Sequence, residues 1–240
     1  MRKHLEEVER ALKPHGNKKR KEMDEWYLKS KLENLGITVP EQRAIHKKGF
    51  SFSSRDETVV DRIWNDVWKN AKSHEAASQA LLHFSDQKHV LAKSDWTILK
   101  TWATRVDNWA HSDYLSELYS RLHEAYPKLV YPTLQKWNAS KNTWLRRMSI
   151  VSLIYYASPK RKAPPLSKVF PLVKNLLHDE DPYVRKGVGW TLRECYNIDP
   201  KKTYTFLRKH IHDLSAISFS YATEKVTKKE KEELKRLRRG

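Results

Sequence analysis

The sequence predicts an all-α chain, and three observations carry that expectation. Only 6 glycines occur among 240 residues. No segment sustains the period-two alternation of a half-buried strand. Prolines (Pro14, Pro40, Pro127, Pro159, Pro164, Pro165 and Pro200) instead separate amphipathic stretches of helical length: VVDRIWNDVWKNA, DYLSELYSRLHEAY and WLRRMSIVSLIYY.

Taken in order, residues 1–50 form less regular N-terminal helices that include the charge run NKKRKE (17–22), a solvated face by composition. Residues 51–215 carry a weak internal period. SHEAASQALL from Ser73, NWAHSDYLSEL from Asn108, TWLRRMSIVSL from Thr143 and PYVRKGVGWTL from Pro182 align at offsets of 35, 35 and 39 residues. Each begins beside a cap-type residue: Ser73, Asn108, Asn142 and Asp181. Between them lie second helical stretches, DWTILKTWATRV, LVYPTLQKW and LSKVFPLVKNLL. Two helices per unit at this period predict an α-solenoid of HEAT-like repeats, whose concave basic groove suits a rod-like ligand. An irregular helical bundle is the alternative. Residues 216–240, with the run TKKEKEELKRLRRG, form a basic C-terminal extension of what is expected to be a single helical repeat domain, 1–240.

Charge narrows the partner. Lys and Arg number 47 against 29 acids, a formal net charge of +18. Such an excess points to a polyanion, because neutralising phosphates supplies the sequence-independent part of nucleic-acid affinity. A membrane is not expected: there is no apolar run of transmembrane length, and MRKHLEEVERALKP is too charged for a signal peptide. Cys195 is the one cysteine, which excludes a disulfide framework within the chain and fits a reducing cytoplasm; it reads as a core thiol.

Familiar catalytic signatures are missing. Gly187-Val188-Gly189 lies inside a helical pattern, so no phosphate-cradling loop exists, and no cofactor is expected. The histidines of HIHD (210–213) diverge on a helix, so no metal is expected there either. Trp64, Trp68, Trp96, Trp102 and Trp137 read as packing residues. What remains is the aligned helix starts. In one register they present Trp109 and Asp113, then Trp144, Arg146 and Arg147, then Tyr183, Arg185, Lys186 and Trp190. Cations in such a stripe bind phosphates and indoles pack on sugars or bases. Asp113, four residues after Trp109 and so on its face of the helix, repels phosphates; a catalytic duty would justify it. The plainer alternative is a helix-start acid stabilised by the dipole.

These motifs carry a resemblance. W-x-x-x-D at Trp109 and Asp113, N-x-W-L-x-R from Asn142 to Arg147, G-W-x-L-R-E from Gly189 to Glu194, and YLKSKLENLGITVPEQR from Tyr27 to Arg43 occur in order. The pattern resembles the HEAT-like-repeat alkylpurine DNA glycosylases of the AlkD type over roughly residues 20–215. The resemblance implies hydrolysis of the N-glycosidic bond of positively charged N3- or N7-alkylated purines in duplex DNA, without base flipping. It implies that Asp113 stabilises the oxocarbenium-like sugar, that Trp109 and Trp190 flank that sugar, and that Tyr27 and Arg147 contact DNA. Arg185 and Lys186 join the DNA-binding set from the register alone. The enzyme is expected to be monofunctional, since no motif positions a lysine for Schiff-base chemistry, and to act as a monomer. The family commonly has an acid after the first tryptophan, where this chain has Ala110. A non-catalytic nucleic-acid-binding repeat protein is the alternative.

Overall fold

A computed structural model describes residues 2–85 and 91–240. Among the described residues every extended regular element is a helix, as the composition predicts. In chain order they are α1 (Arg2–Leu12), α2 (Lys18–Leu28), α3 (Val39–Lys48), α4 (Glu57–Asn70), α5 (His74–Ser85), α6 (Lys93–Trp102) and α7 (Trp109–Ala125). There follow α8 (Pro127–Asn138), α9 (Thr143–Val151), α10 (Leu166–Asn175), α11 (Pro182–Ile198), α12 (Pro200–Lys209), α13 (Ala216–Ala222) and α14 (Lys228–Arg239). No described helix is long and apolar enough to cross a membrane.

The four caps expected from sequence all form. Ser73 Oγ accepts from the Ala76 N–H, Asn108 Oδ1 from His111, Asn142 Oδ1 from Trp144 and Leu145, and Asp181 Oδ1 from Tyr183 and Val184. Each satisfies backbone donors that the first helical turn leaves unpaired. The internal period is also visible in the hydrogen bonding, because side chains reach the equivalent place one repeat away. Trp102–Asn65, Ser78–His111, Tyr131–Lys168, Asn138–Asn175, Arg147–Tyr183 and Trp190–Tyr155 are separated by 37, 33, 37, 37, 36 and 35 residues.

The chain forms two compact units, Met1–Tyr114 and Leu115–Gly240. In the first, α5 is buried along almost its whole length and contacts α1, α3 and α4. Trp68 and Trp102 stack with centroids 4.8 Å apart, His111 lies 5.2 Å from Trp68, and His74 stacks on His111 at 4.0 Å. Trp64 and Trp96 are buried nearby in sequence, as their assignment to packing requires. Burial holds the His74 pKa down to about 4 and that of His111 well below its ordinary value of 6.5. The folded unit therefore keeps both rings neutral while an unfolded chain protonates them below about pH 6.5. Stability is full above that pH and is lost as the pH falls towards 4, by up to about 1.4 kcal/mol per pH unit for each ring. Melting followed by circular dichroism should show this fall; a melting temperature constant from neutral pH to about 4.5 would contradict it.

In the second unit α11 is central, flanked by α9, α10, α12 and α13. Cys195 is fully buried on it, and burial pushes its thiol pKa up, in keeping with a core thiol. Glycine sets two of the close approaches. A Cβ on Gly187 would lie 3.3 Å from Arg147 Cγ on α9, and one on Gly189 only 2.5 Å from Tyr221 Cβ and 2.7 Å from the Ser218 carbonyl on α13. The C-terminal charge run is the solvated side of a docked helix. Thr227 and Glu230 form a capping box, Leu234 is fully buried, and Arg238 lies over Phe219 and donates to the Ile211 carbonyl.

One expected helix is shorter than the pattern suggests. WLRRMSIVSLIYY reads as helical throughout, yet α9 ends at Val151 and residues 152–165 lack a further regular helix. Side chains from neighbouring helices take over the backbone groups a helix would have paired internally. Ser120 Oγ accepts from the Tyr155 N–H, Trp190 Nε1 donates to the Tyr155 carbonyl, and Glu194 Oε2 accepts from the Ala157 N–H.

Candidate nucleic-acid interface

In the first unit the start of α7 is built from the connector after α2. Lys29, in the left-handed conformation (φ 53°), ends α2 and turns the chain. Asp107 then receives the Ser30 hydroxyl and the Lys31 N–H at 2.9 and 2.6 Å, while Asn108 donates to its Oδ1. Glu75, buried on α5, accepts from the Leu35, Gly36 and Ile37 N–H groups and holds the connector's far end. Burial raises the Glu75 pKa, and these backbone donors oppose the rise. Gly36 is required here: its φ is +75°, and a Cβ would lie 2.3 Å from the Asn17 carbonyl.

This framework sets Tyr27 edge-on to Trp109, with ring centroids 5.2 Å apart and planes at 73°. Trp109 is the first residue of α7, and Asp113 follows one turn later on the same face; both are half-buried. The helix-start reading of Asp113 does not survive. Asn108 supplies the cap, the first turn of α7 holds no acid, and Asp113 lies beyond the turn over which the dipole acts.

In the second unit Trp190 is framed rather than free. Its indole N–H donates to the Tyr155 carbonyl at 2.8 Å, the rings of Tyr155 and Tyr156 each lie 5.4 Å away, and the Arg193 guanidinium sits 4.9 Å from its ring centre. Glu194 fixes this group by accepting from both Arg193 and Ala157. Residues 152–165 and the ends of α7 and α11 enclose a cavity of about 450 Å³, lined among others by Ile154, Tyr156, Arg161 and Asn197.

The cations divide by role. Arg146 makes a two-pronged ion pair with Asp179 at 2.6 and 3.1 Å, a tie between α9 and the turn before α11. Arg147 is 4% exposed and donates from Nη1 to the Tyr183 carbonyl at 2.7 Å. Arg185 is half-buried and donates to the Asp179 carbonyl at 2.6 Å. Lys186 lies 5.6 Å over the Tyr183 ring, which also packs on Trp144 at 4.8 Å. The sequence register thus gathers Trp144, Arg147, Tyr183 and Lys186 in one neighbourhood. It misses Tyr155, Tyr156 and Arg193 around Trp190, and Asp107 and Glu75 behind Trp109. Tyr155 and Tyr156 are hidden in sequence because they read as the end of a helix.

A family model described as DNA alkylation repair enzyme matches residues 8–226. Among solved structures, a predicted DNA alkylation repair enzyme from Enterococcus faecalis is similar with a TM-score of 0.75 at 14% identity, covering 89% of this chain and 98% of that one. The smu.31 protein from Streptococcus mutans is similar with a TM-score of 0.51 at 17% identity, covering 83% of this chain and 90% of that one. At these identities the likeness is one of fold. No curated protein matches the chain.

Proposed function

This chain belongs to the DNA alkylation repair enzyme family, and on that premise we propose that it is a monofunctional DNA glycosylase for positively charged N3- and N7-alkylated purines in duplex DNA. The observation that carries the reading is Asp113, one turn after Trp109 and beyond the reach of the helix dipole, on a chain whose net charge of +18 otherwise favours phosphate. A cationic alkylpurine is already a good leaving group, so the reaction needs little acid catalysis. As the N-glycosidic bond breaks, its electron pair goes to the base, which leaves neutral, and positive charge builds on the sugar. The Asp113 carboxylate stabilises that charge and orients the water that attacks the anomeric carbon and releases its proton through the carboxylate to solvent. Trp109 offers its π-face to the same cationic centre, and Trp190 carries the second catalytic indole. Tyr27, Arg185 and Lys186 contact DNA, while Arg147, expected from the resemblance to do the same, is buried and holds α9 to α11 through the Tyr183 carbonyl behind them; no base is flipped into a pocket. The protein acts as a cytoplasmic monomer.

The test is a duplex bearing one N7-methylguanine, incubated with the protein and treated with alkali to cleave abasic sites. Strand cleavage at the lesion is the expected result. Ala110, where the family commonly has an acid, favours a second reading, a protein that binds DNA without excising; intact strands after tight binding would select it.

Binding should be sensitive to salt and nearly indifferent to sequence, because phosphate contacts carry no base information. Lys186→Ala should weaken binding alike on unrelated duplexes and reduce the salt slope by about 1. An unaltered slope would remove Lys186 from the phosphate contacts.

A further inference from the structure

Among the described residues, the three most exposed large apolar side chains fall within five residues of one helix. Trp26 is 77% exposed, Met23 61% and Tyr27 58%, all on α2. Residues 23, 26 and 27 are neighbours on a helical surface, so the three form one patch. Lys18, Lys19 and Arg20 are exposed at one end of α2, and Lys29 and Lys31 at the other, roughly 16 Å away. Two of the acids between them are ion-paired: Asp24 with Arg20 at 3.2 Å and Glu25 with Lys21 at 3.8 Å. Tyr27 joins the patch to Trp109 through its edge-on contact.

An apolar wedge bracketed by cations matches a ligand that presents phosphates on either side of stacked π-faces. We infer that Trp26, with Met23 beside it, is a base-stacking contact to DNA, additional to Tyr27 and spaced along α2 from it. The indole stacks on a base at a loosened step while the flanking cations meet phosphates, as apolar side chains do where proteins unstack a duplex. The inference rests on the reading of the protein as acting on DNA; it does not depend on excision.

The test uses the full chain and an unmodified duplex carrying 2-aminopurine, with affinity read by anisotropy and base unstacking by 2-aminopurine fluorescence. Trp26→Ala should weaken binding about 5- to 100-fold, the range for one lost base–aromatic stack, and abolish the brightening that the wild type produces. The salt slope should stay the same, since no ion contact is lost. Trp26→Phe should restore most of both signals. The side chain is exposed, so the melting temperature should not move. Unchanged affinity in Trp26→Ala, or brightening that persists in it, would overturn the inference. A wild type that binds and brightens without excising would uphold this contact and remove the glycosylase reading.

Discussion

Asp113→Asn is expected to release N7-methylguanine from duplex DNA about 10²–10³-fold more slowly than the wild type, the usual cost of removing one well-placed charge stabiliser. The amide keeps the size of the side chain and most of its hydrogen-bonding capacity, so the substitution isolates charge. Binding should hold or tighten, because a carboxylate that repels phosphates has gone. Loss of folding should not explain the defect. Asp113 is half-buried in the second turn of α7, whose start is fixed independently by Asn108, Asp107 and the Tyr27–Trp109 contact. Excision by Asp113→Asn at the wild-type rate would remove Asp113 from the chemistry.

Gly189→Ala is expected to be the most destabilising single methyl added to the second unit. Its Cβ would sit 2.5 Å from Tyr221 Cβ and 2.7 Å from the Ser218 carbonyl, so α13 must move away from α11. Overpacking of this kind typically costs about 1–3 kcal/mol and more where backbone has to shift. Gly187→Ala is the control on the same helix. There the nearest atoms belong to the side chains of Arg147 and Val151, at 3.3–3.4 Å, and can yield by a few tenths of an ångström. Its backbone is also helical, where alanine is favoured over glycine by about 1 kcal/mol. Melting temperatures should therefore fall sharply for Gly189→Ala and little for Gly187→Ala. Equal effects would mean that the α11–α13 approach does not require glycine.

Much of the fold was legible because repeats amplify weak local signals. Ser73, Asn108, Asn142 and Asp181 are modest cap signals singly, but their common offset ties each to an apolar helix behind it, and all four cap as expected. The segment from Ser152 to Pro165 was not legible. Its apolar residues continue the α9 pattern, and only the distant Ser120, Trp190 and Glu194 reveal where its backbone groups are paired. The same limit applies to the candidate site. Trp109 and Asp113 stand out by helical spacing and Trp190 by its motif, with Arg193 one helical turn after it, whereas Asp107, Glu75, Tyr155 and Tyr156 act through contacts about 30 to 80 residues away that no local pattern encodes. Burial of Arg147 is likewise a tertiary property, set by the glycine at 187 on the facing helix.

In the proposed reaction a carboxylate suffices because the leaving base is already cationic. The direct measurement compares free base released from two duplexes of one sequence, one bearing N7-methylguanine and the other the neutral isomer O6-methylguanine, with the products identified by mass spectrometry. Release of 7-methylguanine and none of the neutral base is the expected result. Equal release of both, or release of neither, would contradict it.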